Sequence, residues 1–154
     1  MFTGIVQGIG QIISISEMNT VTNVTIKLPN ADNLAIGASV SINGVCLTAV
    51  KIDADIVQFD IINETMERTN LGDLSIGDSI NVERSLKFGD EVGGHILSGH
   101  VFGTGIIADK TESGDQMSLS ILAPPSIKKY LTEKGYIAID GISLTVGQVD
   151  NGKF

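Results

Sequence analysis

Tryptophan is absent from this 154-residue chain, cysteine occurs once, histidine twice and proline three times. Each scarcity closes off a class of structure or chemistry. The lone cysteine, Cys46, can form no intrachain disulfide, and one unpaired thiol fits a reducing compartment. His95 and His100 stand five apart with no cysteine or carboxylate at ligand spacing. The i, i+4 geometry of helical zinc sites is not met, so no metal site is expected. Basic side chains are few: 10 Lys and Arg against 18 Asp and Glu, a net charge of −8. Such a surface repels a phosphate backbone, and no basic cluster with interleaved aromatics offers a local exception. Nucleic acid is therefore not an expected partner. No apolar run of about 18 residues is available for a spanning helix. The opening Met1-Phe2-Thr3-Gly4 carries neither the basic nor the apolar region of a secretory signal. The expected location is cytoplasmic, with no membrane association. Phosphate loops and dinucleotide fingerprints are also missing. Gly99-His100-Val101-Phe102-Gly103 leads into no helical pattern, and the Gly-Ile-Ser-Leu-Thr around Ser143 lacks the second glycine of a nucleophile elbow.

What the chain has in quantity is glycine, at 18 residues, together with isoleucine and valine. β-branched runs punctuated by glycine suit short, sharply turning strands. Residues 21–28, 39–42, 57–62 and 79–82 alternate or run apolar at strand length, separated by Pro29-Asn30, Asn43-Gly44, Gly72-Asp73 and Gly77-Asp78. Strands at this spacing indicate an all-β sandwich or small barrel. One helix of two or three turns is expected over residues 124–135, with Ser126 as cap, Ile127, Tyr130 and Leu131 as its apolar face, and Gly135 as stop.

The chain also repeats itself. Gly4, Val6, Gly8 and Gly10 recur as Gly99, Val101, Gly103 and Gly105, shifted by 95. Residues 41–48, Ser-Ile-Asn-Gly-Val-Cys-Leu-Thr, recur as Ala-Ile-Asp-Gly-Ile-Ser-Leu-Thr at 138–145, shifted by 97. Two matches in one order and nearly one register indicate duplication of a barrel. Each copy is expected to open with a strand bearing alternate glycines and then turn at Asn-Gly or Asp-Gly. Gly8 and Gly10 read as barrel-closure glycines, whereas Gly4 equally suits backbone left open to a ligand. Units of 1–95 and 96–154 follow. The second has no counterpart of residues 58–86, so the expectation is a second barrel cut short at its C-terminus and a longer natural protein. The copies differ where Ile5 is answered by His100 and Cys46 by Ser143. Twin pockets with unlike polar groups suit a reaction in which two molecules play different roles.

These motifs resemble the riboflavin synthase family. The likeness is carried by Met-Phe-Thr-Gly-Ile-Val at the start and by Asn43-Gly44-Val45-Cys46-Leu47-Thr48. It continues through Asn63-Glu64-Thr65, Asn70-Leu71-Gly72-Asp73-Leu74 and Gly93-Gly94-His95-Ile96-Leu97-Ser98-Gly99-His100 to the Lys134-Gly135 and Ile139–Thr145 segment. The resemblance runs along the whole chain. It implies tandem Greek-key β-barrels with short helices, a homotrimer, and no cofactor or metal. It also implies an activity: dismutation of two molecules of 6,7-dimethyl-8-ribityllumazine to riboflavin and 5-amino-6-(D-ribitylamino)uracil, by transfer of a four-carbon unit. The first pocket it implies comprises Gly4, Ile5, Val6, Cys46, Leu47, Thr48, Asp60, Ile61, Ile62, Asn63, Glu64 and Thr65. The second comprises Gly99, His100, Val101, Ser143, Leu144 and Thr145, with Lys134 reaching a partner subunit's ligand. Cys46, His100, Asp140, Ser143 and Thr145 are the candidates for acid, base and nucleophile. The alternative is a lumazine- or flavin-binding protein without turnover, which the retention of this reactive set disfavours. A reductase-type flavin barrel would need a nicotinamide domain that the chain lacks. With the second pocket short of its Asn63-Glu64-Thr65 counterpart, the chain alone is expected to bind in its first barrel and to turn over slowly.

Overall fold

The computed structural model describes residues 1–154. Its first part supplies six strands: β1 (Gly8–Met18), β2 (Val21–Lys27), β3 (Ser39–Ile42), β4 (Val45–Asp53), β5 (Ile56–Ile62) and β6 (Ser79–Arg84). They close into a barrel in the order β1-β2-β5-β4-β3-β6. The consecutive strands β2 to β5 lie in the spatial order 2-5-4-3, the Greek-key arrangement. Alternation sets the faces. Along β5, Val57, Phe59 and Ile61 are buried while Asp60 and Ile62 are exposed. The inward set joins Ile12, Ile26, Val40, Ile42, Leu47, Ile80 and Val82 in one core. That core is filled: a void of only about 10 Å³ remains inside it. Any ligand of this barrel therefore binds outside it.

A short helix, α1 (Asn63–Arg68), and a 3-10 turn at Asn70–Asp73 connect β5 to β6. Glu64 lies in the first turn of α1 and Arg68 in the last, complementing the helix dipole, and the two pair at 3.0 Å. Thr69 ends the helix by donating both its N–H and its hydroxyl to the Thr65 carbonyl. Leu71, Leu74 and Met66 then pack against one end of the core.

The second part repeats this plan as far as it goes. Strands β7 (Ile106–Ser113) and β8 (Gln116–Leu122) pair as β1 and β2 do, and β9 (Tyr136–Ile139) and β10 (Ile142–Thr145) pair as β3 and β4 do. Even the irregularity is copied. The β1–β2 register shifts between Ile12 and Ser14, and the β7–β8 register shifts at the positions 95 residues on, between Ile107 and Asp109. Both short hairpins turn on a pair of positive φ angles, Asn43 (46°) with Gly44 (84°) and Asp140 (47°) with Gly141 (80°). This is the two-residue turn that Asn-Gly and Asp-Gly favour. In the closed barrel, β5 joins β2 to β4 and β6 joins β3 to β1. Those are the two strands with no counterpart in the second copy, so its hairpins stand as separate two-stranded sheets and β7 is exposed throughout.

Two sequence expectations are corrected. Residues 124–135 form no helix of two or three turns, only a 3-10 turn at Lys128–Tyr130. Tyr130 is exposed, and a short helix without an apolar face to bury has little to hold it. The opening segments are also not strands from their first residue. Residues 1–7 precede β1, and Gly4 and Gly99 take positive φ angles of 75° and 79°. These glycines lie outside the strands, in a backbone conformation that side chains disfavour.

The two hairpin turns meet: a Cβ on Gly44 would lie 2.7 Å from the Gly141 nitrogen. Gly77 also has positive φ, 97°, but open space around it. Gly77→Ala should therefore cost only backbone strain, about 1–2 kcal/mol. Gly44→Ala should cost at least about 1 kcal/mol more, because the copies must move apart. Urea unfolding followed by far-UV circular dichroism compares the two, and equal losses would mean that the turn–turn contact yields freely.

Candidate functional site

The two copies are locked by reciprocal bonds between equivalent residues. Phe2 and Leu97, one repeat apart, exchange both backbone hydrogen bonds at 2.9 and 3.0 Å. The Ser143 N–H donates to the Gly4 carbonyl (2.8 Å), and the equivalent Cys46 N–H donates to the Gly99 carbonyl (2.9 Å). Residue i of one copy thus meets j of the other, and j meets i, as at an isologous interface. The glycines are required here. A Cβ on Gly99 would lie 2.6 Å from the Cys46 Cβ, and one on Gly4 would lie 2.6 Å from the Ser143 Cβ.

This exchange regroups the residues that the sequence motifs single out. Gly99 lies against Cys46 in the first copy, and Val101, two residues on, packs on the first barrel's core. Gly4, Ile5 and Val6 run past Ser143 in the second copy. The expectation that each opening motif joins the turn motif of its own copy is overturned; the motifs are shared crosswise. Cys46, Leu47 and Thr48 lie on β4 toward the C-terminal end of β5. The β4–β5 register stops at Ala49 and Phe59, so residues 46–48 and 60–62 run on without pairing to one another. Along this gap Thr48, Asp60, Ile62, Asn63 and Glu64 are exposed, and Thr65 is half-buried. Leu47 and Ile61 point into the barrel core and offer a ligand only their backbone. Asp60 is oriented by the Asn23 amide, which donates to it at 2.7 Å.

On the other side lies His95, which the sequence pattern marks for no role beyond a metal site that its spacing excludes. Its Nδ1 sits 2.6 Å from the Ser143 Oγ, and its ring stacks on Tyr136 with centroids 4.3 Å apart. Burial lowers its pKa, favouring the neutral imidazole that can accept from the serine hydroxyl. The signal available in sequence was only Gly93-Gly94-His95, with 48 residues separating the pair. Leu144, Thr145 and Lys134 are exposed nearby in sequence; Lys134 is on a turn with φ 63° and its N–H donates to Val146.

The unclosed second copy leaves a cavity of about 760 Å³ lined mainly by its own residues, among them Ile107, Ile121, Ile137 and Ile139, the counterparts of the first barrel's core residues Ile12, Ile26, Val40 and Ile42. His95, His100, Asn70 and Asp140 give it polar points on a wall that is otherwise largely apolar. Asp140 lies in the β9–β10 turn. Its carboxylate accepts from the Asn70 amide at 2.9 Å, and its carbonyl accepts from the Asn81 amide at 2.9 Å. Partial burial raises the Asp140 pKa, and the Asn70 bond pulls it the other way.

Residues 3–85 and 98–154 each match the model of the lumazine binding domain family. The chain is 46% identical over 157 aligned positions to riboflavin synthase of Escherichia coli (strain K12), covering all of this chain and 74% of that one. Among solved structures it is similar to LumP complexed with riboflavin, with a TM-score of 0.91 at 29% identity over 99% of this chain and 84% of that one. LumP complexed with 6,7-dimethyl-8-(1'-D-ribityl) lumazine matches with a TM-score of 0.88 at 28% identity over 99% and 83%.

The two shifted groups set opposite pH responses. His95 has a lowered pKa, so the unfolded chain takes up its proton first, and stability should fall as pH drops below about 6.5. Asp140 has a raised pKa, so the folded chain holds its proton longer, and stability should fall as pH rises above about 3.9. His95→Gln should flatten the thermal midpoint between about pH 5 and 7. Asp140→Asn, which keeps the turn and the Asn70 bond, should raise the midpoint at neutral pH. Differential scanning calorimetry across pH reads both, and an unchanged profile in either variant removes the role given to that group.

Proposed function

The chain belongs to the riboflavin synthase family of lumazine-binding proteins, and we propose that it dismutates two 6,7-dimethyl-8-ribityllumazine molecules into riboflavin and 5-amino-6-(D-ribitylamino)uracil. The observation that carries this reading is the reciprocal exchange at Gly4–Ser143 and Gly99–Cys46. It supports two related sites with different reactive groups in one chain, as a reaction between two copies of one substrate requires. We read residues 1–95 and 96–154 as the two lumazine-binding units, with riboflavin as the bound product.

One site combines Cys46, Thr48 and the backbone of Leu47 with Asp60, Ile62, Asn63, Glu64 and Thr65, the backbone of Ile61, and Gly99, His100 and Val101. The other combines Gly4, Ile5 and Val6 with Ser143, Leu144 and Thr145, and His95 joins it. Unpaired strand backbone reads the edge of the pteridine, while hydroxyls and the Asn63–Glu64 side chains hold ring and polyol. The reaction must move a proton off the C7 methyl of one lumazine and add a nucleophile or water to the other ring. Cys46, His100, Asp140, Ser143 and Thr145 are the groups proposed for these steps, with the His95 imidazole able to take the Ser143 proton. Holding two rings in reacting geometry can itself supply up to about 7–11 kcal/mol. The exposed Lys134 suits contact with a ligand on a neighbouring subunit of a homotrimer. No helix is long and apolar enough to cross a membrane, and we place the protein in the cytoplasm.

Incubation with the ribityllumazine, followed by absorbance and product chromatography, tests the proposal. Riboflavin and the pyrimidine should appear in equal amounts, each at half the lumazine consumed. Tight, fluorescent binding with no riboflavin would replace the synthase by a carrier. His100→Ala should slow turnover more than it weakens binding, by roughly 10²-fold or more. Unchanged turnover at saturating substrate would remove His100 from the chemistry.

A further inference from the structure

Glu83 lies on β6 between Val82 and Arg84, at a position that faces away from the core, yet it is only 3% exposed. The opening segment of the chain covers it. No cationic side chain pairs with it. Instead its carboxylate accepts from the Thr3 N–H (2.6 Å), the Thr3 hydroxyl (2.7 Å) and the Gly4 N–H (3.0 Å). Three donors can hold a buried carboxylate without a counter-ion.

The carbonyls of the same two residues point the other way. The Thr3 carbonyl accepts from the His95 N–H (3.0 Å), and the Gly4 carbonyl accepts from the Ser143 N–H (2.8 Å). His95 and Ser143 are the residues whose side chains meet at 2.6 Å. They come from the loop after β6 and from β10, two segments joined by no backbone hydrogen bond of their own, and the Thr3–Gly4 segment bridges them. We propose that Glu83 is a positioning residue: its carboxylate fixes the two peptide units from which His95 and Ser143 hang, and so holds that pair in register. A side chain in the first barrel thereby organises the site that faces the second copy. The consequence for turnover rests on the function proposed above; the consequence for the pair does not.

The test uses the whole chain and reads His95 directly. Only two histidines are present, so ring resonances can be assigned with His100→Gln and followed against pH by NMR. Glu83→Gln turns an amide toward donors that need an acceptor, and Thr3→Val removes the hydroxyl at constant shape. In each, the His95 midpoint should move by about half a pH unit or more. Thr3→Ser should restore it. Fluorescence titration with the ribityllumazine should show one of two binding events weakened roughly tenfold, with the other retained. A His95 midpoint unchanged in both Glu83→Gln and Thr3→Val would overturn the proposal, whatever their melting temperatures. If Glu83→Gln does not fold, Thr3→Val decides alone. If the unaltered chain binds no lumazine, the proposed function fails, while the His95 titration still judges the clamp.

Discussion

Four backbone hydrogen bonds between equivalent residues organise this molecule: the mutual pair of Phe2 and Leu97, and the crossed pair in which Gly4 and Gly99 accept from Ser143 and Cys46. In the crossed pair the two backbones come closer than a side chain permits, which is why both of its acceptors are glycine. The geometry is that of a dimer interface written into one chain. Each opening segment lies against the turn motif of the neighbouring copy rather than its own. On the function proposed above, a duplicated binding module thereby presents two ligands with unlike surroundings.

Asymmetry enters through the side chains that hang on this symmetric frame. Ile5 of one segment corresponds to His100 of the other, and the thiol of Cys46 to the hydroxyl of Ser143. Only the serine has an imidazole against it. Shared backbone geometry with divergent groups is what a reaction between two identical substrates calls for, since one must lose a proton while the other is attacked.

Much of this was legible before any coordinates. β3 spans the expected residues 39–42, and the two-residue turns at 43–44 and 140–141 follow from Asn-Gly and Asp-Gly. The repeat predicts the correspondence of strands so closely that the bulge in β1 reappears in β7. What sequence pattern could not carry was anything resting on backbone carbonyls meeting across the two copies. The crosswise sharing of sites is one such feature, and the His95–Ser143 pair is another. Helix α1 was also invisible, because six residues hold too little periodicity to register. The helix expected at 124–135 erred the other way: Ile127, Tyr130 and Leu131 have helical spacing, but Tyr130 is exposed and only a single 3-10 turn forms.

The solid interior of the first barrel has an evolutionary corollary. Its strands alternate, so the positions that stabilise the fold and those that can touch a ligand are interleaved without overlapping: Leu47 and Ile61 inward, Cys46, Thr48 and Asp60 outward. A change of ligand preference can therefore be made on every second residue without repacking the core. One scaffold can in this way drift between chemistries while remaining folded at each step, and a duplicated copy can do so while its twin stays as it was.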